Sequence, residues 1–389
     1  MSFLRASFFA KPAGLTLFDN RSHSDTVVVG GGLVGAAIAV GLAKQSHRVT
    51  VLDGGDTDFR SSRGNFGLVW VQGKGADAAP YSQWTGNAAK AWPDFAEELL
   101  QETGVDIQLQ QTGGLDFCLD ESEFHSQSEK MARVRQHTDG LFEYQMLDNK
   151  QLKELVPQVA ASVYGASFSP QDGHVNPLKL LKALHIYMQR LGCDYRSDHA
   201  VVKIEPSESG FKLHTDQGVF SCERVVLAAG LANTRLAHQT GVSVPLTPNQ
   251  GQLLITERVA PFLSYPSIHI RQTDEGSLQI GDSHADVGYD DSTALDVLAM
   301  ISDRLLSIFP HLKGIHVLRS WSALRVMTPD GLPVYERSSQ WPNATVVNCH
   351  SGVTLAAQHA TVLANWIAQP DQGNQQSLIN EFSADRFHV

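Results

Sequence analysis

The sequence predicts an α/β fold, and three observations support that prediction. Residues 26–53 run through a β-branched segment, a glycine-rich turn, a stretch of small apolar residues and a second β-branched segment. Strand-like segments return much later in the chain, at 201–227. The 389 residues are 42% hydrophobic and 18% charged, as in an ordinary globular protein. A chain of this length predicts two or three domains, with cores large enough to need no disulfide bonds.

Charge and cysteine content exclude several classes of function. The chain carries 30 Lys and Arg residues against 41 Asp and Glu residues, a net charge of −11. Such an acidic surface repels phosphate backbones, which argues against a nucleic-acid partner. The four cysteines, Cys118, Cys193, Cys222 and Cys349, form no CxxC pair that would bind a metal or an iron–sulfur cluster. They are also too few for a secreted disulfide framework, so we expect the reducing cytoplasm as the compartment.

No membrane-spanning or secretory segment is expected. The stretch Thr26–Ala43 contains no charge, yet it includes five glycines, which disfavour a helix interior. The apolar run Phe8–Ala10 near the amino end is too short for a signal peptide. The chain is therefore predicted to lack a transmembrane segment.

The glycine turn has the spacing of a dinucleotide-binding motif. Gly30, Gly32 and Gly35 follow the first strand and open the first predicted helix, and Asp53 ends the next strand. In such a motif the first glycine allows a tight turn, the second lets the backbone approach a pyrophosphate, and the third lets helix and strand pack closely. The helix N-terminus offers unpaired N–H groups to phosphate, and the acid accepts hydrogen bonds from ribose hydroxyls. The alternative is a glycine-rich turn that binds no ligand.

A second glycine-dense stretch, residues 61–75, follows this unit with Arg63, Asn65 and Trp70 interleaved. It is either a plain loop or a segment that runs beside the remainder of a long cofactor. Trp70 and Gln72 are candidates for the edge of such a cofactor, although a packed aromatic residue on a loop is the simpler explanation.

One helix is marked by its own start and stop signals. Asn176 provides an N-cap, Pro177 suits the first helical position, and Gly192 ends the helix. The spacing predicts an amphipathic core helix whose buried face consists of Leu178, Leu181, Leu184, Met188 and Leu191.

The other predicted elements are read from periodicity and turn residues. The predicted helices lie at 84–104, 292–309 and 355–368, and a turn is expected at 328–331. The remaining predicted strands lie at 114–119, 201–205, 211–215, 220–227, 252–256, 277–281, 316–325 and 344–347.

Six motifs in one order identify a family. They are GGGLVG with Asp53, DGHVNP at 172–177, VVLAAG at 225–230, WSALR at 321–325, TPDGLP at 328–333 and HSGVTLA at 350–356. The chain resembles the D-amino-acid oxidase-like flavoproteins, which include glycine oxidase, sarcosine oxidase and D-amino acid dehydrogenases. Its stretch GNFGLVWVQGKG is most similar to the β-type catalytic subunits of heteromeric dehydrogenases, such as those acting on D-hydroxyproline or opines, and to hydrogen cyanide synthase.

The resemblance implies the α/β fold class, with an α+β arrangement over the chain as a whole. A Rossmann-like FAD-binding domain would be assembled from discontinuous segments, at 24–92, 150–245 and 325–385. A substrate domain with a mixed or antiparallel sheet would comprise 93–149 and 246–324. Residues 1–23 would form an N-terminal extension.

The resemblance also implies which residues contact FAD. The family's second glycine-rich turn places the helix start at 352–354 against the flavin, where it would stabilise the negative charge of the reduced ring. The full expected set is Gly30, Gly32, Leu33, Val34, Gly35, Asp53, Ser61, Ser62, Arg63, Asn65, Phe66, Gly67, Val201, Ala229, Gly230, Arg325, Ser351, Gly352, Val353 and Thr354. Members that bind flavin covalently through the WSALR segment have a cysteine where this chain has Ala323, so FAD is expected to be non-covalent.

Three residues are candidates for catalysis. Arg325 ends the WSALR strand at the position where family members hold the substrate carboxylate, a task suited to a guanidinium fork. Its alternative role is a structural ion pair with a carboxylate such as Asp330. His269 lies where glycine oxidase-like members have a substrate-facing tyrosine, and His350 lies beside the flavin turn; either is otherwise a core histidine.

The expected function is FAD-dependent oxidation of the CH–N bond of a small amino or imino acid. The candidate substrates are a D-amino acid, a proline-like imino acid, sarcosine or glycine, and an opine. A dehydrogenase that passes electrons to partner subunits is the first hypothesis. A stand-alone oxidase that releases hydrogen peroxide and a flavin-binding assembly subunit without turnover are the alternatives. A NAD-linked dehydrogenase leaves the two later glycine motifs unexplained. Under the first hypothesis, the partner subunits that accept electrons would place the chain at the periphery of the inner membrane.

Overall fold

The computed structural model describes residues 23–55, 61–207, 209–369 and 376–387. The predicted N-terminal extension, 1–23, lies outside the described residues except for its last position.

Four sheets account for the strands of the described residues. Numbered in chain order, the strands are β1 His23–Val29, β2 Val49–Leu52, β3 Leu68–Val69, β4 Gly114–Cys118, β5 Gln145–Asp148, β6 Gly165–Ser169, β7 Gly173–His174, β8 Asp194–Arg196, β9 Val201–Ser207, β10 Gly210–Thr215, β11 Gly218–Leu227, β12 Thr247–Arg258, β13 Ile270–Gln272, β14 Ser277–Ile280, β15 Val317–Met327, β16 Val334–Arg337 and β17 Ala344–Asn348.

The helices of the described residues lie mostly between these strands. They are α1 Leu33–Lys44, α2 Ala79–Thr103, α3 Glu121–His137, α4 Asn149–Leu155, α5 Pro177–Arg190, α6 Asn233–Leu236, α7 Leu295–Ile308, α8 Ala356–Gln358, α9 Ala364–Ala368 and α10 Gln376–Asn380. A π-helical turn, His359–Leu363, joins α8 to α9 into one long helix over 356–368, which we call the terminal helix.

The largest sheet has the strand order β16-β17-β11-β1-β2-β8, with β10 and β9 continuing from β11. Strand β1 pairs in parallel with both β2 and β11, and β11 pairs in parallel with β17. The predicted βαβ unit and the return of parallel strands far along the chain are therefore confirmed.

The other sheets are antiparallel. Strands β13-β14-β12-β15 form one of them, β4-β6-β5 a second, and β3 with β7 a two-stranded ribbon. The α/β class with an additional antiparallel sheet is therefore as predicted.

Three apolar cores hold the sheets and helices together. One covers the face of the large sheet under α1, α2, α5 and the terminal helix, and the second covers the opposite face. The third lies between the two antiparallel sheets and includes Leu152, Val159, Leu254 and Ile301.

The packing differs from the predicted domain boundaries at two points. The boundary between 149 and 150 separates β5 from β6, yet these strands pair with each other, and Leu152 and Val159 lie in the third core. The boundary between 92 and 93 falls inside α2. The predicted boundaries are those that the family resemblance implies, whereas the cores follow strand pairing and helix packing.

The amphipathic helix α5 begins as predicted and buries most of the predicted face: Leu184 and Met188 are fully buried, and Leu181 and Leu191 are partly buried against the same core. The Asn176 side chain accepts hydrogen bonds from the N–H groups of Leu178 and Lys179, 3.2 and 3.1 Å away, which is an N-cap. Leu178 is 56% exposed, whereas Leu180 is fully buried, so the prediction that Leu178 faces the core is wrong. The cap bonds hold residue 178 in the first turn, where it faces away from the core.

Helix α1 contacts the terminal helix at backbone distance. A Cβ atom at Gly41 would lie 2.2 Å from the carbonyl oxygen of Ala360 and 2.5 Å from the Cβ atom of Ala364. We expect Gly41→Ala to destabilise the protein by about 1–3 kcal/mol because the helices must separate. Gly86→Ala in α2 is the matched control, since nothing lies within 4 Å of its Cβ position and alanine favours a helix.

Chemical denaturation of both variants followed by circular dichroism checks this expectation. The midpoint should fall for Gly41→Ala and stay level or rise for Gly86→Ala. Equal midpoints for the two variants would contradict the close helix contact.

Candidate active site

The first glycine turn is built by backbone packing against two strands. Gly30 has a positive φ of 105°, and a Cβ atom there would lie 2.4 Å from the carbonyl oxygen of Ala228. A Cβ atom at Gly35 would lie 1.9 Å from the carbonyl oxygen of Gly30. These two glycines are thus required by the fold itself, and they bring the N-terminus of α1 to the carboxyl edge of the sheet.

Asp53 holds the same turn from the end of β2. Its Oδ2 atom accepts a hydrogen bond from the Gly31 N–H group at 2.6 Å, and its Oδ1 atom accepts one from Gly55 at 3.0 Å. The carboxylate therefore fixes the glycine turn in addition to facing the open space next to it.

Along the carboxyl edge of the large sheet runs a cleft of about 1200 Å³. Most of the residues predicted to contact FAD line it. They are Gly30, Gly32, Leu33, Val34, Asp53, Ser61, Ser62, Arg63, Asn65, Val201, Ala229, Gly230 and Gly352. We call this space the nucleotide cleft.

A second cleft of about 1740 Å³ lies between this edge and the antiparallel sheet β13-β14-β12-β15. It contains the predicted Phe66, Arg325, Ser351, Val353 and Thr354. We call it the reaction cleft. Trp70 and Gln72, which were candidates for the cofactor edge, line it as well.

The two clefts are continuous. Both are lined by Ser61, Asn65, Val326, Cys349 and His350. A ligand with a dinucleotide arm and a planar ring can therefore lie across both, which is the shape of FAD. The glycine-lined entrance beside the α1 N-terminus suits its pyrophosphate.

Three predicted site residues line neither cleft: Gly35, Gly67 and His269. Gly67 has a positive φ of 92° and a Cβ atom there would lie 2.5 Å from the Val175 carbonyl oxygen, so it serves the fold. The His269 ring is buried behind the cleft, and burial lowers its pKa to about 4. It is uncharged at neutral pH.

His269 nevertheless lies between two acids of the reaction cleft. Its Nε2 atom is 4.0 Å from Asp116, and its Nδ1 atom is 3.9 Å from Asp282. Sequence reasoning missed both acids, because each stands in a strand or turn that no motif singled out. Burial raises the pKa of Asp116 to about 7, so this carboxyl group titrates near neutral pH.

Arg325 reaches the reaction cleft from β15. Its Nη1 atom donates hydrogen bonds to the Ser283 carbonyl oxygen at 2.8 Å and to Asn249 at 3.1 Å, and Nη2 lies 3.8 Å from Asp282. These bonds fix the plane of the guanidinium. Gly251 leaves room for it, since a Cβ atom there would lie 2.6 Å from Nη1.

The alternative role predicted for Arg325, an ion pair with a carboxylate, is present in the structure, but the partner is Asp282 and not Asp330. Asp330 pairs with Arg386, whose Nε atom is 2.7 Å from its carboxylate. Arg325 therefore keeps its guanidinium in the cleft, near Asp282.

His350 lies in a polar cluster at the junction of the clefts. Its Nε2 atom is 3.1 Å from the Lys74 ammonium, which also donates to Ser351 Oγ at 3.0 Å. Burial and the neighbouring Lys74 and Arg325 charges drive the pKa of His350 well below its usual value. Because an ammonium only donates hydrogen bonds, the neutral His350 must accept here.

Lys74 is a further residue that sequence reasoning missed. It stands in the glycine-dense run 61–75, which carried the signal of a cofactor-side loop but gave no reason to single out its lysine. Burial lowers the pKa of Lys74 to about 8, which leaves the ammonium mostly charged at neutral pH.

The turn before α8 closes the site. The Thr354 hydroxyl accepts a hydrogen bond from the Trp70 N–H group and donates one to the Leu68 carbonyl oxygen, both 3.2 Å away. The Thr354 side chain therefore ties this turn to the loop at 68–70. A Cβ atom at Gly352 would lie 3.4 Å from Val34, so the two glycine turns face each other directly.

Two other kinds of site are absent from the described residues. No group of three or more His, Cys, Asp or Glu side chains within that part of the chain is arranged to hold a metal ion. None of the helices that the structure describes has both the length and the apolar character to cross a bilayer.

Comparisons with known proteins agree with this geometry. The family model described as FAD dependent oxidoreductase (DAO) matches residues 25–366. A subunit of opine oxidase from Agrobacterium tumefaciens (strain Ach5) is 44% identical over 366 residues, 94% of this chain and 98% of that protein. Hydrogen cyanide synthase subunit HcnC of Pseudomonas protegens is 25% identical over 353 residues, 80% of this chain and 84% of that protein. The crystal structure of glycine oxidase from Geobacillus kaustophilus superposes with a TM-score of 0.86 at 25% identity, covering 95% of this chain and 100% of that one.

The position of Gly32 in the nucleotide cleft leads to a prediction about the retention of FAD. Gly32 is the N-cap of α1 and lines the cleft, and a Cβ atom there would already lie 2.8 Å from Ser62 Oγ. We expect Gly32→Val to be folded but colourless, because the added methyl groups occupy the space of the pyrophosphate. The flavin absorbance per mole of purified protein measures this, and Gly86→Ala, far from the cleft, should keep its flavin. A folded Gly32→Val protein with full flavin content would contradict the assignment of the turn.

Proposed function

The chain belongs to the FAD dependent oxidoreductase (DAO) family, and from that premise we propose that it oxidises the CH–N bond of a small carboxyl-bearing amine, with the secondary amines of the opine class as its substrates. The predicted family, enzyme class and FAD cofactor are confirmed. The opine class is supported by the name of the relative that shares 44% of its residues over nearly its whole length.

One observation carries the proposal: the fixed Arg325 guanidinium in the reaction cleft beside the turn 350–354. A guanidinium fork held in one plane binds a carboxylate through two parallel hydrogen bonds. It thereby sets the position of the carbon next to that carboxylate. Orienting a reacting bond in this way is a large part of what an enzyme contributes to such a reaction.

We infer that FAD is held without a covalent bond. Ala323, which lines the reaction cleft, offers no sulfur atom. Cys349 also lines both clefts, but burial raises the pKa of its thiol to about 12, so it is not a thiolate at neutral pH. When bound, FAD supplies the two-electron acceptor for the hydride that leaves the carbon next to nitrogen.

The chain's own task is to bind the amine and to take up a proton. An amine reacts through its lone pair, so a substrate that arrives as an ammonium must first lose a proton. We propose Asp116 as the acceptor, because its carboxylate faces the reaction cleft and titrates near neutral pH. The neutral His269 ring lies beside this carboxylate, with its Nε2 atom 4.0 Å away, beyond hydrogen-bond distance.

We further propose that the chain works as a dehydrogenase subunit in the cytoplasm and passes electrons to partner subunits. The word subunit in the names of two relatives supports the partner subunits. The four free cysteines of this chain support the reducing cytoplasm as the compartment. A stand-alone oxidase is the alternative, which the word oxidase in the first of those names favours. Such an enzyme would release hydrogen peroxide from the isolated chain at the rate of substrate oxidation.

Anaerobic mixing of the purified flavoprotein with candidate amines tests the proposed activity. We expect the flavin absorbance to bleach with opine-type secondary amines, and the reoxidation rate in air then separates a dehydrogenase from an oxidase. A yellow protein that no amino or imino acid bleaches would instead support an assembly subunit without turnover.

Replacement of the guanidinium tests the carboxylate anchor. We expect Arg325→Ala to retain FAD but to raise the KM for the amine by about tenfold to a hundredfold, the loss of one charge-assisted contact. Arg319→Ala on the same strand is the matched control, because Arg319 is exposed and lies outside the cleft. Unchanged kinetics in Arg325→Ala would remove Arg325 from this role.

The proton acceptor gives a pH prediction. Below about pH 7 the raised pKa of Asp116 keeps its carboxyl protonated, so flavin reduction should slow about tenfold per pH unit as the pH falls. The range of pH in which the rate falls with falling pH is the acid limb of the profile. In Asp116→Asn this acid limb should move up to the pKa of the free amine. Asp77→Asn is the control, because Asp77 lines the same cleft but is exposed and lies 3.4 Å from Arg133. An acid limb unchanged in Asp116→Asn would exclude Asp116 as the acceptor.

A further inference from the structure

Lys74 places a second cation in the reaction cleft. It lies in the loop before α2, and its ammonium and the Arg325 guanidinium both line this space. The two cations interact electrostatically, since the positive charge of Arg325 lowers the pKa of Lys74. They approach from opposite parts of the fold, one from the loop that follows β3 and the other from β15.

The hydrogen-bond partners of the Lys74 ammonium carry no negative charge. Within the described residues these partners are His350 Nε2 at 3.1 Å and Ser351 Oγ at 3.0 Å, and no carboxylate lies within ion-pair distance. An ammonium has three N–H donors, so one is left over. A cation removed from bulk water without a counter-ion is costly.

Neither of the nearby acids forms an ion pair with Lys74. Asp282 lies 3.0 Å from His284 and 3.8 Å from Arg325. The Oδ1 atom of Asp172 accepts hydrogen bonds from the N–H groups of Val71 and Gln72, at 2.5 and 3.4 Å, and its buried Oδ2 atom has no hydrogen-bond partner among the described residues. The carboxylate of a ligand can therefore supply the counter-ion that Lys74 lacks.

The cluster around Lys74 is built to hold the ammonium in place. The Tyr81 hydroxyl donates to Ser351 Oγ at 2.8 Å, so the oxygen that accepts from Lys74 is itself fixed. Ser82 Oγ donates to the Lys74 carbonyl oxygen at 3.0 Å, which fixes the backbone of the loop.

We propose that Lys74 is a second anion-binding residue of the reaction cleft, which takes one carboxylate of the substrate while Arg325 takes another. The inference rests on the proposed function and narrows it: the substrates are secondary amines with a carboxylate on each side of the nitrogen, that is, N-(carboxyalkyl) amino acids. Two anchors in one cleft fix the amine along its length, whereas one anchor leaves it free to rotate.

Binding of a non-reactive pair of acids tests the second anchor without turnover. Oxydiacetate carries two carboxylates around an ether oxygen, and methoxyacetate carries one. Their dissociation constants are measured on the FAD-loaded protein by the perturbation of its flavin spectrum. We expect the unaltered protein to bind oxydiacetate about tenfold to a hundredfold more tightly than methoxyacetate.

Variants assign that preference to a residue. Lys74→Met should keep its FAD, lose the preference for oxydiacetate and bind methoxyacetate within about twofold of the unaltered protein; Lys74→Arg should restore part of the preference. Lys130→Met is the matched control, because Lys130 lines the same cleft but is exposed. Arg325→Ala should weaken both acids.

Three outcomes would overturn the inference. They are equal affinity of the two acids for the unaltered protein, an equal loss of both acids in Lys74→Met, and loss of FAD from Lys74→Met, which would assign the cation to the cofactor. Anaerobic reduction keeps these apart from failure of the proposed function. An enzyme bleached by N-ethylalanine as readily as by N-(1-carboxyethyl)alanine retains that function without the second anchor, whereas a protein bleached by no amine does not have that function.

Discussion

The site depends on backbone-to-backbone contact around helix α1. Gly30 lets the turn before α1 lie against Ala228 at the end of β11, and Gly35 lets the first turn of α1 pack against Gly30. Gly41 lets the middle of α1 contact the terminal helix. No side chain fits at any of these three contacts. Because α1 is fixed on both sides, its N-terminus and the turn before α8 face each other across the junction of the two clefts. A displacement of α1 would therefore disturb both clefts together.

The parts predicted well from sequence are those encoded locally. The spacing of Gly30, Gly32 and Gly35 between two β-branched runs identified the first unit, and the motif order then identified the family and its cofactor. The VVLAAG segment likewise predicted a late strand that runs into a glycine turn, and its parallel pairing with β1 is a finding of the structure. In each case neighbouring residues carry the whole signal.

The parts missed from sequence arise from long-range proximity. Lys74 and Ser351 are 277 positions apart, and nothing in either neighbourhood indicates that they meet. Asp116 lies in an antiparallel strand whose alternation predicts only that one face is buried, not that this face borders a cleft. The predicted boundary at 149–150 departs from the strand pairing for the same reason, since β6 pairs with strands on the far side of that boundary.

A buried polar network explains how one loop can hold a cation in place. The Asp172 carboxylate binds the N–H groups of Val71 and Gln72, while the Gln72 amide donates to the Gly114 carbonyl oxygen and accepts from Ser167, at 3.0 and 2.5 Å. Polar side chains are costly to bury unless they are hydrogen-bonded, and these bonds join the loop to the antiparallel sheet. The DGHVNP motif, which from sequence was only a turn before α5, thus fixes the loop two residues before Lys74. Lys74 and Arg325 each place a positive charge in the reaction cleft, whereas His269 and His350 are neutral, and the network keeps one of these charges at a fixed place in a chain whose net charge is −11.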